Sequence, residues 1–180
     1  MAVQELEAIN LVKSKIRDVI DFPVKGIVFK DITTAVKDAE TLQEIINYLT
    51  EKFADKKIDY VAGIESRGFV FGAALACRLN AGFVLIRKPG KLPAETISQE
   101  YQLEYGTDAI QMHKDAIENG KNVLIIDDLL ATGGTVAAAC NLVTKTGANI
   151  VGAAFVIELS DLNGRAKLPK DVEVVSMVTY

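Results

Sequence analysis

Residues 123–135, VLIIDDLLATGGT, place an apolar run, two carboxylates and a glycine-containing loop one after another. The run at 123–126 suits a strand buried on both faces, and a helical pattern begins at 134. In open α/β sheets, ligands bind beyond the carboxyl ends of the strands, so this order constrains both the fold class and the place of a site. Thr132, Gly133, Gly134 and Thr135 offer backbone N–H groups and hydroxyls at a helix start, where an anion is favoured. The two glycines let the backbone approach that anion with no Cβ in the way. Asp127 and Asp128 would repel a bare phosphate, and two acids after a buried strand are costly unless used. They suit sugar hydroxyls, as acceptors, or a nearby positive charge. A sugar phosphate satisfies both ends of the motif.

Other phosphate motifs do not fit. GIESRG (63–68) has the opening spacing of a P-loop, but Phe69 stands where the lysine is required, and no G-x-G-x-x-G occurs. The rest of the chain repeats a rhythm of short apolar strand, turn and helix. Strands are predicted at 59–64, 82–88, 122–127, 149–158 and 172–178, with helices at 68–80 and 134–147 between them. Two further helices are predicted before them. Leu6, Ile9, Val12, Ile16 and Val19 recur at helical spacing over 3–20, and Leu42, Ile45, Ile46, Leu49 and Phe53 do so over 39–54. Residues 24–34 read as a loop with a short apolar stretch. The pattern predicts one α/β domain over 1–180, a mostly parallel sheet flanked by helices. Segment 89–108 breaks the rhythm: long, polar and carrying two prolines, it reads as a loop able to close over a site.

Charge and composition narrow the partners. Twenty Lys and Arg against 24 Asp and Glu leave a net charge of -4, which argues against a nucleic-acid polymer as ligand. The single histidine, His113, excludes a histidine-cluster metal site, and Cys77 and Cys140 read as reduced thiols. The acidic N-terminal stretch lacks the basic region of a signal peptide, and the apolar runs are too short to span a bilayer. The expectation is a soluble cytoplasmic protein with no membrane association.

VLIIDDLLATGGT resembles the signature of type I phosphoribosyltransferases, and in particular that of the adenine phosphoribosyltransferases. FPVKGIVFKDIT (22–33), VAGIESRGFVFG (61–72), VLIRKPGKLP (84–93) and YQLEYG (101–106) are similar to that family's segments, in the same order. The likeness covers most of the chain from Phe22 to about Leu142. Lys30 and Glu65 stand where the family also carries Arg and Asp, with charge kept.

The resemblance implies transfer of a phosphoribosyl group from phosphoribosyl pyrophosphate (PRPP) to adenine, giving AMP and pyrophosphate. It implies an N-terminal hood over about 1–34, a flexible lid over about 89–106, a homodimer, and Mg2+ held mainly through PRPP, pyrophosphate and water. Ala131, Thr132, Gly133, Gly134 and Thr135 would hold the 5′-phosphate, and Asp127 and Asp128 would face the ribose hydroxyls. Glu65, Ser66, Arg67, Arg87 and Lys88 would hold pyrophosphate, with a cis peptide between Glu65 and Ser66. Adenine would be read by the backbone around Val28 and Lys30 and sandwiched by Phe29 and Leu129. Enzymes for 6-oxopurines carry an acid where Ala131 stands, so Glu104 in the lid is the expected general acid/base on the purine. Two alternatives remain open: a phosphoribosyltransferase for another base, and a PRPP-binding regulator of the same fold.

Overall fold

The computed structural model describes residues 2–102 and 106–180. The chain begins with helix α1 (Ala2–Lys15), strands β1 (Arg17–Ile20) and β2 (Val28–Asp31), the short helix α2 (Thr33–Val36) and helix α3 (Ala39–Lys52). Strand β3 (Tyr60–Ile64), helix α4 (Gly68–Leu79) and strand β4 (Gly82–Ile86) follow, then a hairpin of β5 (Thr96–Gln102) and β6 (Thr107–His113). Strand β7 (Asn122–Leu130), helix α5 (Gly134–Lys145), strand β8 (Asn149–Glu158), two 3-10 turns (Ser160–Leu162 and Gly164–Lys167) and strand β9 (Val174–Thr179) complete it.

Five strands form one parallel sheet in the order β4-β3-β7-β8-β9. β7 lies at its centre because it is apolar on both sides. Leu124 and Ile126 point into one core with Ile45 and Leu49 of α3, Phe53 just after it, and Phe71 and Leu75 of α4. Val123 and Ile125 point into the other, with Val136, Cys140 and Val143 of α5 and Ile110 and Met112 of β6. The period-two alternation of a strand thus places one helical layer on each face. The reversal of strand order beside β7 opens the crevice in which α/β sheets bind ligands. No described helix is long and apolar enough to cross a membrane.

Three sequence expectations are corrected. The helix predicted over 3–20 stops at Lys15, and residues 17–20 pair antiparallel with 28–31 instead. Arg17 ties the two strands by donating from Nε and Nη2 to Asp31 Oδ2 at 3.1 and 2.5 Å. Val19 matched the helical spacing, yet a β-branched residue sits as readily in a strand, and tertiary pairing decides. The same pairing makes Val28–Asp31 a strand inside the segment read as a loop. Segment 89–108 is likewise not a plain loop. Its second half enters the antiparallel hairpin β5–β6, with Thr96 opposite His113 and Gln102 opposite Thr107. Ile97 and Tyr101 pack towards the α5 core while alternate residues face solvent, which explains the polar composition.

Candidate active site

The carboxyl ends of β3, β4 and β7 bring three chemically active segments to one rim. After β7, the chain turns through 131–133 into α5 with Gly133 at φ +78°, a left-handed conformation that favours glycine. No side chain caps this helix start, and the first-turn amides have no carbonyl one turn back to bond, so they are left for a ligand. Asp127 and residues 129–136 enclose a cavity of about 80 Å³ there. Ala131, Thr132, Gly133, Gly134 and Thr135 all line it.

The two carboxylates behind the loop differ. Asp128 is 5% exposed and accepts a hydrogen bond from Arg67 Nε. Asp127 accepts the Asp128 amide at 2.9 Å. Burial, and next the Asp128 charge, push the Asp127 carboxyl well above the ordinary carboxylate range. Gly68 opens α4 directly against it, since a Cβ there would stand 3.1 Å from Asp127 Oδ1. This contact between β7 and α4 was not anticipated from sequence. The glycine in GIESRG was its only signal.

The β3 turn supplies the second segment. The Glu65–Ser66 peptide is cis, as the resemblance implied. Arg87 donates from Nε and Nη2 to the two oxygens of Glu65, each at 3.1 Å, and from Nη1 to Lys91 O at 3.1 Å. Its fork is therefore engaged within the protein. Burial raises the Glu65 carboxyl, but Arg87 and the Lys88 amide outweigh it and hold the group below its usual range. Lys88 Nζ contacts Asp108 of β6 and the Tyr101 hydroxyl of β5, the latter at 2.9 Å, which ties this corner to the hairpin. Desolvation of Lys88 is outweighed by those two partners, and its ammonium is held above its usual range. Asp108 was not singled out from sequence, and Tyr101 only as the first residue of YQLEYG, because pairing with a strand partner in a polar hairpin leaves no motif.

The N-terminal segment contributes β2. The Arg67 guanidinium carbon lies 5.9 Å from the centre of the Phe29 ring, so Phe29 faces the rim. Phe22 meets Phe29 edge to face at 5.3 Å, and Val28 is half-exposed. The Lys30 side chain turns elsewhere, to Asp18, leaving only its backbone for a base. Leu129 lines the loop cavity. Asp31, also not anticipated, accepts from Thr33 N and Oγ1 at 2.9 and 2.7 Å. Those bonds, with Arg17, lower its carboxyl to about 2. Glu104 lies outside the described residues.

Comparison with known proteins identifies this arrangement. The phosphoribosyl transferase domain matches residues 33–179. The adenine phosphoribosyltransferase of Thermosynechococcus vestitus is 58% identical over 93% of this chain and 98% of its own. This chain belongs to the adenine phosphoribosyltransferases. The crystal structure of the Rhodothermus marinus enzyme is 51% identical, with a TM-score of 0.93 over 97% of this chain and 99% of that one. The Saccharomyces cerevisiae enzyme, solved with an imino-altritol bisphosphate and adenine, is 41% identical with a TM-score of 0.90, covering 96% and 99%.

Proposed function

We propose that this chain transfers the 5-phosphoribosyl group of PRPP to adenine, forming AMP and releasing pyrophosphate. The observation that carries the reading is the β7 rim: a carboxylate pair leading directly into an uncapped, left-handed glycine turn. The turn's amides and the hydroxyls of Thr132 and Thr135 take the 5′-phosphate. Asp127 and Asp128 accept the ribose hydroxyls and lie beside C1 as its bond to pyrophosphate breaks. Positive charge then builds on the ribose, and carboxylates fixed in a low-dielectric site stabilise it without reorganising. Ser66 and Arg67 receive the leaving pyrophosphate, and Arg67 is the cation on this rim that already reaches Asp128. Arg87 and Lys88 serve the same anion once Glu65 and Asp108 release them. Phe29 and Leu129 flank the purine, the backbone at Val28 and Lys30 reads its edge, and Glu104 moves its ring proton.

Magnesium fits this donor set. It prefers hard oxygens and takes one or two carboxylates with substrate phosphates and water. Among the described residues no three His, Cys, Asp or Glu side chains converge, so an ion would be held mainly through PRPP, pyrophosphate and water, with Asp127 and Asp128 nearby. When bound, it neutralises the diphosphate that leaves. We further propose a cytoplasmic homodimer, in which a second copy covers the exposed Val70 of α4 and Leu85 of edge strand β4.

A phosphoribosyltransferase for a 6-oxopurine is disfavoured by Ala131, which lines the loop cavity where the 6-oxopurine enzymes carry an acid. The test is AMP formation from adenine, PRPP and magnesium, beside hypoxanthine and guanine. Turnover of either 6-oxopurine at a kcat/KM matching that of adenine would overturn the assignment.

A further inference from the structure

Beyond β8, the chain runs behind the turn that follows β7. Gly133 of the turn and Gly164 of the segment 159–168 face each other backbone to backbone. A Cβ on Gly133 would overlap the Gly164 carbonyl oxygen and stand 3.1 Å from Gly164 Cα. A Cβ on Gly164 would overlap the Ala131 carbonyl oxygen, 3.0 Å from Leu130 Cδ1 and 3.1 Å from Gly133 N. The atoms met are mostly backbone, which cannot swing aside as a long side chain does. Gly164 is buried, with an ordinary negative φ, so only space demands a glycine there.

The segment itself is pinned. Arg165 donates from Nε and Nη2 to the two oxygens of Glu158 at 2.7 and 2.6 Å, and from Nη1 to Val174 O at 3.0 Å. Glu158 is 7% exposed and ends β8, while Val174 begins β9, so one guanidinium ties the segment to two strands of the sheet. Leu159 N donates to Leu130 O at 2.9 Å, joining it to the end of β7. The turn at 131–133, by contrast, has no capping side chain. Of the two facing backbones, the segment is the fixed one and the turn is the one set against it.

We propose that Gly164, held by the Glu158–Arg165 pair, is a positioning residue that sets the curvature of the 5′-phosphate turn. The inference rests on the proposed function for the identity of the anion. Gly164 touches no substrate and acts through Ala131 and Gly133. A wider turn would misdirect the amides that converge on the phosphate, and hydrogen bonds to a charged group lose strength steeply with angle.

The test separates the two anions of the site. Gly164→Ala should weaken ribose 5-phosphate binding roughly 10-fold, the loss of about one charge-assisted hydrogen bond, and leave pyrophosphate binding within about 2-fold. In turnover, the KM for PRPP should rise with the KM for adenine unchanged. Arg165→Gln adds no atom and frees the segment, so it should weaken ribose 5-phosphate in the same direction by about 3-fold. Arg165→Lys, which keeps one contact to Glu158, should recover part of that loss. Arg165 is half-exposed, so these variants decide the matter even where Gly164→Ala does not fold. Unchanged ribose 5-phosphate binding in the Arg165→Gln protein would overturn the proposal. So would equal losses of both anions, which would mark general damage. The two readings fail separately: AMP formation by the unaltered protein tests the proposed function, and selective binding by the variants tests the role of Gly164.

Discussion

Lys30 Nζ lies 4.0 Å from the centre of the Tyr180 ring while donating to Asp18 Oδ1 at 2.7 Å. Tyr180 is in turn fastened beside the sheet edge: its N–H donates to Glu158 O, and its carbonyl accepts from Ser160 N, both at 2.9 Å. The ring of Tyr180 therefore docks β2, the strand whose backbone would read adenine, onto the end of β8. Cation–π contacts are worth about 0.5–2 kcal/mol. Tyr180→Ala should accordingly raise the KM for adenine by about 2- to 30-fold, with the KM for PRPP within about 2-fold. Steady-state kinetics with each substrate varied in turn checks this, and a rise confined to PRPP would exclude it.

Asp127 is a case in which stability and activity should part. Burial and the Asp128 charge raise its carboxyl, so ionising it costs the folded state more than the unfolded one. That penalty is absent below the ordinary value of 3.8 and grows as pH rises towards the folded value. Asp127→Asn should therefore melt higher than the parent at pH ~7, with the gain gone near pH ~3. Its turnover should fall by roughly 10²-fold or more, because the amide carries no charge to stabilise the ribosyl cation. Calorimetry at the two pH values, with AMP formation alongside, measures both. A lower melting temperature at neutral pH would show that the carboxylate supports the fold.

The central sheet was legible in the sequence because β3, β7 and β8 are apolar on both faces, and only a doubly covered strand tolerates that. The turn after β7 was legible because its glycines and carboxylates are adjacent in the chain. Strand β1 was not. Ile16 and Val19 satisfy a helical period, and the partner that overrides it, Asp31, lies 14 residues from Arg17. The hairpin β5–β6 hid behind its polar faces. Arg87 and Lys88 read as donors to pyrophosphate, whereas Glu65 and Asp108, 22 and 20 residues away, engage them here. Gly164 gave no signal, because its reason is a backbone at position 133 and not a neighbour in sequence. What sequence concealed was in each case a long-range partner.

Asp31 holds β1, β2 and the start of α2 together, and its carboxyl sits at about 2 against an ordinary 3.8. A lowered carboxyl contributes stability that is complete above the unfolded value and is lost as pH falls through the folded one. The difference corresponds to at most about 2 kcal/mol, less for the exposure of Arg17. Asp31→Asn should thus destabilise the protein at pH ~7 by up to that amount, and the two proteins should converge as pH falls from about 4 to about 2. Urea unfolding at several pH values gives the curve. A difference that stays constant across that window would assign the effect to lost packing and not to the carboxylate charge.

Glu104→Gln should cripple turnover and leave PRPP binding nearly intact. Adenine must lose a ring proton when its nitrogen joins C1 of the ribose, and the loop that carries an acid in 6-oxopurine enzymes presents Ala131 here. Among the flanking segments, YQLEYG (101–106) brings a carboxylate between two strands whose packing is known: β5 lies against α5, and Lys88 fastens Tyr101 and Asp108 on either side. Lys88 thereby ties the two described strands of the hairpin to the corner after β4. Gln keeps the size and one carbonyl acceptor but takes up no proton, so substrate geometry survives and proton transfer does not. General acid–base assistance contributes ~10²–10⁴-fold, which sets the expected loss in single-turnover AMP formation. PRPP titration should give the same affinity for both proteins, because the 5′-phosphate turn and Arg67 are untouched. A Gln variant with unaltered chemistry would remove Glu104 from the reaction and pass the proton to Asp127, the carboxyl on the rim already held above its ordinary range.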